Sequence, residues 1–135
     1  MKRTAIGTVA LLAALSAGAD NLAGVDRMIC AAAQVQICIE NDTCYQATPA
    51  ELDVPDFVII DMDKNTVSTT KASNENRSTK FSSVAKQSGL IYLQGMERGR
   101  AFSFVIDEAS GRLTVAVSRD GLSVSVFGAC TDADI

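Results

Sequence analysis

The chain of 135 residues contains no histidine and no tryptophan. Without histidine there can be no Ser-His-Asp or Cys-His constellation and no imidazole-ligated metal. Aromatic residues are scarce, five Phe and two Tyr, so a core must rest on Val, Ile, Leu and Ala. Positive charge is also short: the formal net charge is −4. Residues 1–19 carry Lys2 and Arg3 and no acid, so the remainder holds 10 basic against 16 acidic residues. That balance gives no electrostatic case for nucleic-acid binding and reads as a solubility feature. The length allows one domain with one modest core.

Residues 1–19 (MKRTAIGTVALLAALSAGA) combine two basic residues, a short apolar run and small residues at Ala17 and Ala19. This pattern predicts a cleaved export signal with an A-x-A site. Its apolar run is too short for a comfortable transmembrane helix. Cleavage after Ala19 leaves about 116 residues (135 − 19) as a single β domain over 20–135. No cysteine directly follows the small residues, which argues against a lipid anchor. The expected location is the periplasm or the extracellular medium.

Four cysteines, Cys30, Cys38, Cys44 and Cys130, in an exported chain of this size read as two disulfides. Three pairings are possible. Cys38–Cys44 would staple a hairpin, and Cys30–Cys130 would tie the first strand to the last, as a closed or nearly closed sheet requires. The spacings match no familiar zinc site, and no metal or cofactor is expected.

The clearest structural signal lies in residues 90–130. Phe102-Ser103-Phe104-Val105-Ile106 partly alternates, as a half-buried strand does. Leu113, Val115 and Val117 share one face of the next strand, and Leu122, Val124 and Val126 share one face of the one after. Asp120-Gly121 between them predicts a type I′ hairpin. Residues 90–93 add a strand in front. Earlier in the chain, residues 28–39 (MICAAAQVQICI) mix a helix-favouring Ala run with strand-like alternation, and a strand is expected because the rest is β. Residues 48–51 predict one helical turn, with Pro at its first position. Strands are expected at 57–61, 66–70 and 79–86, and mobile segments at 20–26 and 72–77. The predicted fold is an all-β antiparallel meander of about eight short strands, a small barrel or sandwich.

Few residues recommend themselves for chemistry. Asp61-Met62-Asp63-Lys64-Asn65 resembles the start of a calcium loop, but Thr66 and Ala72 stand where Gly and Glu are required. An ordinary hairpin turn is expected instead. Asp107-Glu108 is the obvious carboxylate pair, and adjacent acids in a turn usually only solvate it. Arg98 and Arg100 flank Gly99 at a hairpin tip, where guanidinium forks could grip an anion or an acidic partner. Asn41 and Asn76 head glycosylation-type triplets that arise often by chance.

At residues 93–103 (LQGMERGRAFS), 106–113 (IDEASGRL), 127–131 (FGACT) and 55–61 (PDFVIID), the chain resembles small exported β-rich proteins of proteobacteria. That resemblance implies a secreted β domain and supplies no catalytic residues. In size, leader and disulfide-tied meander, the chain is also similar to periplasmic lysozyme inhibitors of the small-barrel type. The comparison concerns architecture alone, since their Ser-Gly and Tyr-containing inhibitory motif is absent.

Two functions follow as expectations, both non-catalytic. One is a binding module that meets an envelope or extracellular protein; the other is a carrier with a small molecule inside a lipocalin-like barrel. Core filling separates them, because a barrel packed solid has no room for a ligand. For the hairpin tip, Arg98→Ala/Arg100→Ala is expected to leave folding intact and weaken an acidic partner. An unchanged dissociation constant for such a partner contradicts that site.

Overall fold

The computed structural model describes residues 21–52 and 55–133, so the expected export signal lies outside the described residues. Ten strands form one antiparallel sheet that curls into a half-barrel, with two isolated 3-10 turns at Pro49–Leu52 and Lys71–Ser73. The strands are β1 (Arg27–Ile39), β2 (Cys44–Ala47), β3 (Phe57–Asp61), β4 (Thr66–Thr69) and β5 (Ser78–Lys80). They continue as β6 (Ser83–Gln87), β7 (Leu90–Glu97), β8 (Arg100–Asp107), β9 (Arg112–Arg119) and β10 (Leu122–Asp132). Spatial order is β5-β4-β3-β1-β10-β9-β8-β7-β6, with β2 on a side branch against β1. Strands β7 to β10 form the meander expected from their turn signals, and β6 pairs with β7 in front of it.

β1, 13 residues long, organises the sheet. On one side it pairs with β10, from Met28↔Asp132 to Ile39↔Leu122. On the other side, Arg27 through Ala31 pair with β3, and Val35 through Cys38 pair with β2. The register slips between Ala32 and Gln34, the mark of a β-bulge that places one extra residue in the strand. Met28 and Cys30 are buried before the bulge, and Val35 and Ile37 after it. The inward phase thus changes from even to odd numbers. This explains the mixed periodicity of MICAAAQVQICI, in which Ala33 is the extra residue in an alternating strand. Gly128 stands opposite, where a Cβ would collide with the Ala31 carbonyl.

The disulfides are Cys30–Cys130 and Cys38–Cys44. In each, the cysteines are directly opposite across an antiparallel ladder. The first is buried within the sheet at the β1–β10 seam, whereas Cys44 is exposed.

One end of the half-barrel is filled. Met28, Ile60, Ile91 and Ile106 are fully buried there with Leu22 in the same apolar cluster. The segment 21–26, expected to be mobile, docks: Leu22 N donates to the Glu108 carbonyl (2.7 Å) and Met62 N to the Asp26 carbonyl (2.7 Å). Burying one leucine side chain contributes roughly 1.5–3 kcal/mol, enough to hold a short terminus in place. The strand expected over 79–86 is split into β5 and β6. Between them Phe81 is buried, its N–H donating to Asn65 (2.8 Å) while that of Ser82 donates to Gln94 (2.8 Å). Here the chain passes from the β4 side of the sheet to β7, which brings the two ends of the curled sheet together.

The turn at Asp120-Gly121 also differs from expectation. Only Gly121 has positive φ there, so the geometry is not type I′, which needs positive φ at both central residues. That pattern occurs instead at Arg98-Gly99, with φ of 50° and 76°.

Replacing Cys30 and Cys130 by Ala is expected to destabilise the protein by about 5 kcal/mol, and replacing Cys38 and Cys44 by about 2 kcal/mol. The contrast follows from sequence separations of 100 and 6. Equal shifts in thermal melting for the two double variants contradict the seam's role.

Candidate functional site

Three of the five phenylalanines converge on the interior. Phe81 meets Phe102 and Phe104 edge-on, with ring centroids 6.0 and 5.9 Å away, and the latter two rings are 5.5 Å apart. Gly95 makes this possible. It faces Phe102 across the β7–β8 ladder, and a Cβ on it would lie 2.6 Å from the tip of that ring.

Beyond these rings the interior is not filled. A half-open cavity of about 150 Å³ is lined by Phe102 and Phe104 from β8, Val115 and Val117 from β9, and Val126 from β10. Cys30 from β1, Val58 from β3 and Val67 from β4 complete its apolar wall. The strand phase explains the composition. Phe102↔Val117 and Phe104↔Val115 are facing pairs, as are Val115↔Val126 and Cys30↔Val58, so alternate residues of five strands point to the same space.

Ser68, Thr69 and Thr79 line the side formed by β4 and β5, and the charged groups Arg77, Glu97 and Arg100 gather at one rim. Arg77 lies opposite Glu97, with its Nη2 at 3.5 Å from Oε2, and its Nη1 lies 3.8 Å from Glu75 Oε2. The loop that carries Arg77 was expected to be mobile. Thr69 orders it, donating from Oγ1 to the Glu75 carbonyl (2.6 Å) and accepting from Arg77 N–H (3.1 Å). Arg100 is half-buried at the same rim and belongs to none of the ion pairs among the described residues.

The expected Arg98 and Arg100 do meet, in a shallow outer depression they line with Glu97, Arg119 and Asp120. Arg100 also lines the cavity, whereas Arg98, exposed at the turn, does not. Sequence reasoning singled out Arg100 from its place in the hairpin. It missed Arg77 and Glu97, because 20 residues separate them and no local pattern joins them.

The other candidate chemistry resolves into turns. Asp61 Oδ1 accepts from Asp63 N–H (3.0 Å) and Lys64 N–H (2.9 Å), so this carboxylate caps a hairpin where a calcium loop would use it as a ligand. Asp107 Oδ1 does the same for Ala109 N–H (2.9 Å), while Glu108 faces Lys86 at 3.9 Å. Among the described residues no group of three or more acids and cysteines is arranged to hold a metal ion.

Comparison with protein-family models, curated proteins and solved structures gives no match. The site's own geometry carries the functional reading.

Gly95→Ala tests how tightly the aromatic wall is set. The added methyl is expected to displace the Phe102 ring and cost about 1–3 kcal/mol, with the ring signals of Phe81 and Phe104 shifting in NMR spectra. Unmoved ring signals refute the contact.

Proposed function

We propose that this is an exported, non-catalytic carrier that holds one small molecule in the cavity of the half-barrel. The observation that carries the reading is the unfilled, mostly apolar space lined by Phe102 and Phe104, with its charged groups limited to Arg77, Glu97 and Arg100. Binding sites of this kind are concave and mostly apolar, with a few polar groups that orient the ligand. An apolar void is costly, on the order of 24 cal/mol per Å³. The cavity here opens to solvent on one side, so only its apolar depth bears such a cost, which a fitting ligand offsets in part. The two disulfides fit an oxidising compartment, and no helix among the described residues is long and apolar enough to cross a membrane. Periplasmic or secreted localisation accords with the leader pattern.

A second reading, contact with an envelope or extracellular protein, draws on the outer face. Phe57 and Phe127 are 51% and 48% exposed. Ala31 pairs with both Phe57 and Ala129, and Phe127 is two residues from Ala129, so both rings stand on the outside of the sheet with small residues between them.

Native mass spectrometry of protein recovered gently from an exporting host tests the carrier. The wild type is expected to carry a small bound mass, and Val117→Phe, which puts a ring into the cavity, to lose it while staying folded. A bare wild-type protein, with no bound mass and no thermal stabilisation by small apolar compounds, contradicts the carrier and turns attention to the Phe57–Phe127 face.

A further inference from the structure

We infer that the cavity selects a small monocarboxylate with an apolar body, a single-ring aryl acid or a short acyl acid, and that Arg100 receives its carboxylate. The inference rests on the carrier reading and adds the ligand's chemical class.

Size sets the first limit. A half-open cavity of about 150 Å³ takes roughly one benzene-sized body, well below the 300–1,000 Å³ of sites that enclose drug-sized ligands. The pocket covers a ring or a chain of about six carbons, whereas most of a steroid or a long-chain lipid would lie outside it. The wall favours such a body, since Phe102 and Phe104 present tilted aromatic surfaces against which a ring edge or methylene chain packs well.

Polarity sets the second. No ionisable side chain lines the deep wall formed by Phe102, Phe104, Val115, Val126 and Leu113. All the charge lies at the rim, so the ligand has one polar end only. A dicarboxylate or a polyol would leave a polar group buried without a partner, at considerable cost.

Charge sets the third. Of the three ionic groups at the rim, Glu97 and Arg77 already face each other at 3.5 Å, and Arg77 also faces Glu75 at 3.8 Å. Arg100 lies across the turn from Glu97 in the β7–β8 ladder but is in no ion pair among the described residues. It is half-buried and lines the cavity. A guanidinium so placed, with two parallel donors, matches a carboxylate. Arg98 and Arg119 lie next to it in the outer depression, opposed there by Glu97 and Asp120. Arg77, Arg98, Arg100 and Arg119 are four of the chain's seven arginines (the others are Arg3, Arg27 and Arg112). Glu40, Glu75, Glu97 and Asp120 lie at the same end, so the preference for an anion rests on Arg100 itself and not on a positive surface field.

The experiment titrates the disulfide-bonded protein with benzoate and hexanoate, and in parallel with the neutral counterparts benzyl alcohol and 1-hexanol, following backbone and methyl NMR signals. Both acids are expected to shift the signals of Phe102, Phe104 and Val115 and to bind at least tenfold more tightly than the alcohols at low salt. Arg100→Gln is expected to abolish that preference while leaving the alcohols' affinity unchanged, and Arg98→Gln to alter it little. Equal binding of acids and alcohols by the wild type overturns the carboxylate assignment and leaves the carrier reading intact. Interior signals that respond to none of the four compounds overturn both. The wild-type acid–alcohol comparison decides the class even if Arg100→Gln fails to fold.

Discussion

The seam between β1 and β10 is the constraint on which the remaining structure depends. It is the longest ladder in the sheet, it is crossed by the buried Cys30–Cys130 bond, and it contains the bulge at Ala32/Gln34. The bulge decides which residues of β1 face inward on each side of it. Without the extra residue, either Met28 and Cys30 or Val35 and Ile37 would face solvent, because a one-residue shift exchanges the faces of a strand. The local bend that accompanies a bulge also helps one long strand serve two neighbours, β3 and β2, on its other edge.

From this seam the interior acquires two different halves. At the Leu22 end, residues from sequentially distant segments fill the space, and the docked segment 21–26 covers it. At the Arg100 end, valines occupy the positions opposite two phenylalanines, and the smaller side chains leave a void. Phe81 lies in the apolar core beside those same two rings, where the chain crosses between the ends of the sheet. One residue therefore serves closure of the half-barrel and backs the two rings that line the site. The distribution of aromatic residues follows the same economy, with Phe81, Phe102 and Phe104 inside and Phe57 and Phe127 outside.

Much of this fold could be read from the sequence, and the exceptions share a cause. The strands β7 to β10 were visible because alternation and turn residues are local signals, as in Leu113-Thr114-Val115 and Asp120-Gly121. Both disulfides were among the pairings that export and spacing allowed. The bulge was obscured because Ala33 is compatible with helix, strand or bulge, and only Gly128 on a distant strand shows which it is. The docking of Leu22 against Glu108 and the meeting of Arg77 with Glu97 are contacts between remote segments. Nothing near either residue in the chain encodes them. The type of the Asp120-Gly121 turn was misjudged because Asp-Gly tolerates more than one turn geometry. Of the site, Arg100 was legible as a hairpin-tip cation, but its direction toward the interior depends on strand register.

The void has a consequence in volume as well as in energy. A cavity of 150 Å³ corresponds to at most about 90 mL/mol of void, less whatever its open mouth admits as water, against unfolding volume changes of roughly 20–100 mL/mol for ordinary domains. Heat acts on the whole chain, and the long-range disulfide opposes it by limiting the unfolded state. Pressure acts on the empty space itself, which no covalent bond protects. An occupied cavity has less volume to surrender, so hydrostatic pressure separates the empty from the filled form of this protein even where their melting temperatures lie close together.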